Sequence, residues 1–282
     1  MKWWHGKGAF IDFFNPQAKK WFTSLMDRVI DMGFDGWKCD GADPIILLLR
    51  PWPYSPGLKR YITYREYANQ YYGTFYNYTK TKNPEALIMA RPVDSYKGKV
   101  YINYAPKYVM FMGWVGDQHN DVDGFRYAMQ NVIHSASQNY LNFGFDIGGY
   151  KTNGDSKKYL FLRWVQIGSL LPFMENGGNG IHQPWFFDEE AVDIYKKFVL
   201  LHYDLKDFFL SAGTEAYKKG KSVVQPLVPD RKIVELVDNN NLGYVLWNTF
   251  LVEPIFEESG YVEVVFPAKY KWIYYFNHSR VF

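Results

Sequence analysis

The stretch Gly33-Phe-Asp-Gly-Trp-Lys-Cys-Asp40-Gly-Ala-Asp-Pro44 determines how the rest of the chain is interpreted. Before it, residues 16–32 place apolar side chains at helical spacing, with Asn15 as the predicted N-cap and Pro16 at the first helical position. Gly33 is a typical residue to end such a helix. After Gly33, a short apolar run reaches the carboxylate of Asp40. A helix, a tight turn and a buried strand ending on an acidic residue are typical of a parallel α/β barrel, whose chemistry lies at the carboxyl ends of the strands. Asp40 is therefore the first candidate catalytic residue.

The same arrangement recurs along the chain. Three further predicted strands end on charged side chains: 87–91 on Arg91, 108–117 on Asp117 and 142–146 on Asp146. Predicted helices separate or follow these strands over residues 61–78, 123–137, 157–168 and 188–209. Any one aspartate alone could cap a loop, but three in phase at strand ends favour a shared site.

The last part of the chain has a different pattern. After residue 212, short alternating runs predict antiparallel strands over 233–237, 243–246 and 261–266. We therefore expect a barrel domain over residues 1–212 and part of an all-β domain over residues 213–282.

Composition narrows the class of protein. The 282 residues carry a net charge of +3 without a long basic run, which disfavours nucleic acid and anionic membranes as partners. No apolar run approaches the ~18 residues that a membrane span needs. The single cysteine, Cys39, excludes an intrachain disulfide and argues against a cysteine-rich metal site.

Aromatic residues and acidic pairs point to carbohydrate chemistry. Aromatic side chains make up 20% of the sequence, which either fill a tyrosine-rich core or stack on sugar rings. Paired carboxylates suit glycoside cleavage, one at the anomeric carbon and one at the leaving oxygen.

Metal binding is the alternative for an aspartate cluster. Asp121-Val-Asp123-Gly124 resembles the start of a calcium loop, but the oxygen ligands that should follow are absent, and a helix cap at Asp123 explains it better. His119 has no second ligand at zinc spacing. We expect no metal and no cofactor.

Several motifs resemble those of the family-31 glycoside hydrolases, which are retaining α-glycosidases. The similar segments follow the family order: Phe10–Pro16, Phe34–Asp40, Trp114–Asp117, Phe143–Tyr150 and Arg163–Phe173. The resemblance implies a (β/α)8 TIM barrel, here about strands 4–8, followed by the start of a β-sandwich. It also implies that the N-terminal part of the same protein is a missing partner of this segment.

The resemblance assigns roles to individual residues. Asp40 would be the nucleophile and Asp117 the general acid/base. The expected substrate-binding residues are Trp4, Lys38, Asp43, Arg91, Trp114, Asp146, His182 and Trp185. The expected partner is an oligosaccharide or another glycoside, and the compartment is left open, secreted and periplasmic locations included.

Three departures from the family pattern bear on specificity. Asp40-Gly-Ala-Asp43 replaces the usual Asp-Met-Asn-Glu, and Glu175-Asn-Gly177 replaces an Arg-x-His, whose contact His182 would take over. Lys38 replaces a tryptophan two residues before the nucleophile, so it should share a strand face with Asp40 and stabilise its negative charge. Alternatively, Lys38 only pairs with a structural carboxylate.

Lys-x-Asp at the nucleophile resembles α-galactosidases of other families. The favoured interpretation is therefore a retaining hydrolase of α-galactosides or α-N-acetylgalactosaminides. The alternatives are an α-glucosidase or α-xylosidase of the same family, or a non-catalytic carbohydrate-binding remnant. Transglycosylation would use the same carboxylates as hydrolysis.

Overall fold

The computed structural model describes residues 2–3, 6–40, 42, 53–96, 99–102, 105–152, 154, 156–227, 242–258, 261–268 and 270–282. The strands are β1 (Lys2–Trp3), β2 (Gly6–Lys7), β3 (Gly36–Cys39), β4 (Tyr54–Ser55), β5 (Arg60–Tyr61), β6 (Leu87–Ala90), β7 (Val93–Tyr96), β8 (Lys99–Ile102), β9 (Met112–Trp114), β10 (Phe143–Gly144), β11 (Val224–Pro226), β12 (Tyr244–Leu246) and β13 (Phe250–Val252). The α-helices are α1 (Pro16–Ile30), α2 (Tyr64–Lys82), α3 (Val122–Ser137), α4 (Lys158–Gly168), α5 (Glu189–Asp204) and α6 (Lys206–Lys219).

A parallel sheet in the order β10-β9-β6-β3 forms the centre of the barrel part. Adjacent strands of this sheet succeed one another in chain order, as in a (β/α) barrel. The register pairs Cys39 with Ala90, Ala90 with Gly113, and Gly113 with Phe143. Because all four strands are parallel, the side chains that follow their carboxyl ends lie along one edge. The predicted fold class, a partial α/β barrel followed by antiparallel strands, is confirmed.

Helices cover one face of this sheet. Asn15 caps α1 by accepting hydrogen bonds from the first-turn amides, and Pro16 occupies the first helical position, as predicted. The Trp37 indole of β3 points to the helical layer, where its Nε1 donates to Thr79 Oγ1 of α2 at 2.8 Å. Since side chains alternate along a strand, Lys38 points to the opposite face, the interior of the barrel.

Several predicted boundaries change in the structure. A 3₁₀ turn at Lys107–Val109 replaces the start of the strand predicted over 108–117, and the short strand β9 follows it. Asp121, rather than Asp123, caps α3 by accepting from the Gly124 amide. The single long helix predicted over 188–209 is two helices, which meet at Leu205.

The helix α6 continues through the expected domain boundary at residue 213. Gly213 has open space around it and is accommodated in the helix, whereas Gly220 adopts the left-handed conformation, with φ of 62°, that ends it. The first antiparallel strand after this helix begins at Val224.

Among the described residues after α6, the antiparallel strands form a three-stranded sheet in the order β11-β12-β13. It packs on the barrel part, where the Tyr244 hydroxyl donates to the Leu170 carbonyl oxygen at 2.9 Å. The strand predicted over 261–266 is wrong, because this exposed segment has no pairing partner within the described ranges. The strand predicted over 233–237 lies outside the described residues. No helix within these ranges is both long and apolar enough to cross a membrane.

Candidate active site

The predicted site residues follow the carboxyl ends of the four parallel strands. Asp40 directly follows β3, and Arg91 directly follows β6. Asp117 lies three residues beyond β9, and Asp146 lies two residues beyond β10. The parallel arrangement therefore gathers at one edge residues that are far apart in the sequence.

Arg91 holds the two principal carboxylates together. Its Nη1 lies 3.0 Å from Oδ1 of Asp40 and 3.0 Å from Oδ1 of Asp117. The two carboxylate oxygens are therefore no farther apart than twice this distance. The Arg91 side chain is 6% exposed, whereas that of Asp40 is 58% exposed and open to solvent. A buried guanidinium thus fixes two carboxylates whose outer faces remain accessible.

Lys38 forms a second charged group on the interior face of the sheet. Its ammonium forms an ion pair with Oε1 of Glu175 and lies 3.7 Å from Oδ1 of Asp146. Glu175 and Asp146 are neighbours because their backbones form an isolated parallel bridge. The Lys38 Nζ also lies 4.5 Å from the centre of the Trp114 ring, within the range of a cation–π contact.

The carboxyl group of Asp146 has a strongly raised pKa. It is 2% exposed, and this burial raises the pKa of its carboxyl to about 7. The charge of Lys38 opposes this shift, while the negative charges of Glu175 and Asp117 add to it. Neither carboxylate oxygen of Asp146 has a hydrogen-bond partner within the described part of the chain. Asp146 is therefore a buried group with unused acceptor capacity.

Two residues that the sequence did not assign to the site contribute to it. The Tyr71 hydroxyl donates to the backbone oxygen of Asp40, and burial raises the pKa of Tyr71, which keeps this donor protonated. Glu175 supplies the partner of Lys38. The position of Glu175 at the end of the apolar run 170–175 was a usable signal, whereas nothing in the sequence around Tyr71 indicates its contact.

Lys38 does share the interior face of β3, as predicted, but it pairs with Glu175 and Asp146. The cation beside Asp40 is Arg91. The reason is reach: the long Lys38 side chain crosses the barrel interior to the bridge between Asp146 and Glu175. The alternative prediction, that Lys38 pairs with a structural carboxylate, describes these contacts better than the prediction that Lys38 stabilises the negative charge of Asp40.

His182 and Trp185 are not in contact with the two charged groups in the described structure. His182 is 4% exposed, its Nδ1 lies 2.9 Å from the Ile147 carbonyl oxygen, and its Nε2 is closed in by the backbone of Gly178. It therefore supports the loop after Asp146 instead of presenting an open sugar contact. Trp185 is 68% exposed on a 3₁₀ turn, where its ring packs near Phe186. Trp4 and Asp43 lie outside the described residues.

Comparisons with known proteins agree with the motifs. Residues 1–212 match the model of the glycosyl hydrolases family 31 TIM-barrel domain. The chain is 25% identical to an α-xylosidase of Emericella nidulans, over 98% of this chain and 35% of that protein. It is 26% identical to α-glucosidase 2 of Bacillus thermoamyloliquefaciens, over 97% of this chain and 35% of that protein. The chain thus spans about a third of the length of these curated relatives.

Solved structures show the same fold. The cycloalternan-degrading enzyme of Trueperella pyogenes, in complex with a covalent intermediate, superposes with a TM-score of 0.79 at 16% identity, over 99% of this chain and 38% of that chain. At this identity, the similarity concerns the fold alone. With the family model matching three quarters of the sequence, the chain belongs to glycoside hydrolase family 31.

Proposed function

We propose that this chain carries the catalytic carboxylates of a retaining α-glycosidase that works by double displacement. In the first step, Asp40 attacks the anomeric carbon and forms a glycosyl ester, while Asp117 gives its proton to the departing glycosidic oxygen. In the second step, Asp117 takes a proton from water, whose oxygen displaces Asp40 from the anomeric carbon. The products are the free sugar with retained configuration and the released alcohol.

The observation that carries this proposal is the contact of Asp40 and Asp117 with one nitrogen of Arg91. Twice the 3.0 Å contact distance limits the separation of their Oδ1 atoms. This upper limit on one pair of oxygens is compatible with the ~5–5.5 Å between the carboxyl groups of retaining enzymes.

Arg91 also suits the change of charge between the two steps. Before the reaction, its guanidinium compensates the negative charge of Asp40. Once the glycosyl ester has formed, that charge is consumed, and Arg91 then faces Asp117 in the carboxylate form that the second step needs as a base.

An α-xyloside or α-glucoside is the better-supported substrate class. The family relatives are named α-xylosidase and α-glucosidase, so the preference for α-galactosides expected from the sequence is not supported. That preference rested on Lys38 acting beside Asp40. The geometry removes this basis, because Lys38 pairs with Glu175 and Asp146.

A rate panel on 4-nitrophenyl α-xyloside, α-glucoside and α-galactoside tests this proposal. We expect the xyloside or glucoside to be hydrolysed fastest, with the α-anomer as the first sugar product in the NMR spectrum. The Asp40→Ala variant should be inactive, whereas Asp207→Ala, which removes an exposed carboxylate of α6, should leave the rate unchanged. Undiminished turnover in Asp40→Ala, or the β-anomer as first product, would refute the mechanism.

Carbohydrate binding without hydrolysis is a second candidate. In the part of the chain that the structure describes, β3 is the edge strand of the sheet, and the Asp40 side chain that follows it is 58% exposed. An exposed nucleophile lacks the enclosure that strengthens electrostatic stabilisation of a transition state. Saturable glycoside binding by a folded chain that shows no turnover in the rate panel would favour this candidate.

A further inference from the structure

The ion pair between Lys38 and Glu175 spans the interior of the barrel part. Lys38 belongs to β3, at one edge of the parallel sheet, and Glu175 bridges to Asp146 beyond β10, at the other edge. Asp40 follows Lys38 by two residues, directly after the end of β3, so Lys38 lies one step below the nucleophile along the chain. A glycoside that reaches Asp40 therefore has this pair beneath it.

The group formed by Lys38, Asp146 and Glu175 has unused hydrogen-bonding capacity. Both carboxylate oxygens of Asp146 and Oε2 of Glu175 are buried without a hydrogen-bond partner among the described residues. Leaving buried acceptors unpaired is unfavourable, so a ligand that supplies donors is favoured at this place. Sugar hydroxyls supply donors to these oxygens and can also accept from the ammonium of Lys38, which is 37% exposed.

The charges of the site favour a neutral sugar. Lys38 faces the carboxylates of Asp146 and Glu175, and Arg91 faces those of Asp40 and Asp117. Among the described residues, each cation thus faces at least two acidic side chains. Partial protonation of Asp146 near neutral pH lessens the excess of negative charge without reversing it. An anionic sugar would be repelled, whereas a neutral sugar would not.

We propose that Glu175, held in place by Lys38, is a substrate-binding residue that selects neutral glycosides and rejects anionic ones. This inference rests on the proposed function only in placing a sugar at Asp40. It assigns Glu175 a direct contact with sugar hydroxyls, and it makes Lys38 a positioning residue that orients Glu175 and Asp146.

The test measures binding, so that it does not depend on turnover. Two probes that differ only at C6 are 4-nitrophenyl α-glucoside and 4-nitrophenyl α-glucuronide. Ligand-observed NMR measures the affinities of both probes for the Asp40→Ala protein. The same measurement is made on three double variants, in which Asp40→Ala is combined with Glu175→Gln, Lys38→Met or Lys38→Arg. Glu257→Gln is the matched control, because it removes the carboxylate of an ion pair with Arg126 at 2.6 Å that is separate from the site.

We expect Asp40→Ala to prefer the glucoside. Glu175→Gln should weaken glucoside binding and lower the preference over the glucuronide by about tenfold, because one repelling charge is removed. Lys38→Met should weaken glucoside binding but raise this preference, since two carboxylates lose their cation. Lys38→Arg and Glu257→Gln should leave the preference unchanged. Opposite shifts in Glu175→Gln and Lys38→Met are a signature that loss of structure alone would not produce.

Equal changes for both probes, an unchanged preference in Glu175→Gln, or no glycoside binding by the folded chain would overturn the inference. Failure of the proposed function has a different result. A chain without turnover that still shows opposite preference shifts refutes hydrolysis and supports the role of Glu175. A chain that hydrolyses glycosides, but whose preference is unchanged by Glu175→Gln, supports the proposed function and refutes the role of Glu175.

Discussion

The ammonium nitrogen of Lys38 lies 4.5 Å from the centre of the Trp114 ring. The guanidinium carbon of Arg91 lies 5.9 Å from the same ring, which is 1% exposed. One buried indole on β9 therefore contacts both cations of the site. Because β9 lies between β6 and β10 in the sheet, Trp114 lies between two charged groups. One is Arg91 with its carboxylate partners, and the other is Lys38 with its carboxylate partners.

The contact between Lys38 and Trp114 should be measurable as a coupling energy. In a double-mutant cycle of Lys38→Met and Trp114→Phe, we expect a coupling of about 0.5–2 kcal/mol in the free energy of unfolding. Urea denaturation of the four proteins measures it. The matched control is Lys219→Met with Trp247→Phe, where the ammonium is 5.2 Å from the ring on an exposed side chain and the coupling should be smaller. Equal coupling in both cycles would contradict the special role of Trp114.

Replacing Arg91 should reduce catalysis more than folding. Arg91→Lys retains the charge, but lysine lacks the planar guanidinium that places one nitrogen against both Asp40 and Asp117. If the chain is active, we expect kcat to fall by about 100-fold, since small displacements of catalytic groups have effects of this size. Steady-state kinetics on the preferred aryl glycoside measure it. Arg126→Lys, which alters an ion pair with Glu257, should have wild-type kcat; a similar loss there would point to a general effect on the fold.

The pH dependence of stability should reveal the buried carboxyl group of Asp146. Its pKa is raised to about 7 in the folded chain, so between about pH 4 and 7 the folded state binds more protons than the unfolded state. Its contribution to stability is therefore present at low pH and is lost as the pH rises towards 7. The groups that determine this pKa besides burial are Lys38, Glu175, Asp117 and Arg91.

Asp146→Asn should abolish the fall in the free energy of unfolding that Asp146 causes as the pH rises towards 7. This fall amounts to about 2–4 kcal/mol. The measurement is the free energy of unfolding of both proteins from pH 4 to pH 8, and the difference between them should vary through this range. Glu253, whose pKa is also raised to about 7 by burial, contributes in the same direction. Glu253→Gln is therefore a necessary comparison. A difference between wild type and Asp146→Asn that is constant with pH would show that Asp146 does not titrate there.

Close packing at Gly36 should be essential for the strand that carries Lys38 and Asp40. A Cβ at Gly36 would lie 2.4 Å from the Leu87 carbonyl oxygen, so the Gly36→Ala variant must separate β3 from β6. We expect a loss of about 1–3 kcal/mol in the free energy of unfolding. Gly213→Ala, within α6 and with no atom near the added Cβ, should instead stabilise the chain by up to about 1 kcal/mol. Similar effects of both substitutions would contradict this packing.

Local sequence signals predicted those features that depend on neighbours in the chain. The cap of α1 at Asn15 and Pro16 and the strand before Asp40 are set by short-range preferences, and both appear in the structure. The helix predicted over 188–209 ends too early, because helical spacing alone does not mark where a helix stops. Only a glycine that takes the left-handed conformation, here Gly220, ends the helix.

Motifs and side-chain alternation were enough to predict the family, the parallel strands and the strand-end positions of Asp40, Arg91, Asp117 and Asp146. The partners of the charged side chains are visible only in the folded chain. Arg91 takes two carboxylates and Lys38 turns to Glu175, 137 positions away along the chain. Pairing of long charged side chains depends on distances across the barrel interior and on burial, and no local pattern encodes either of them.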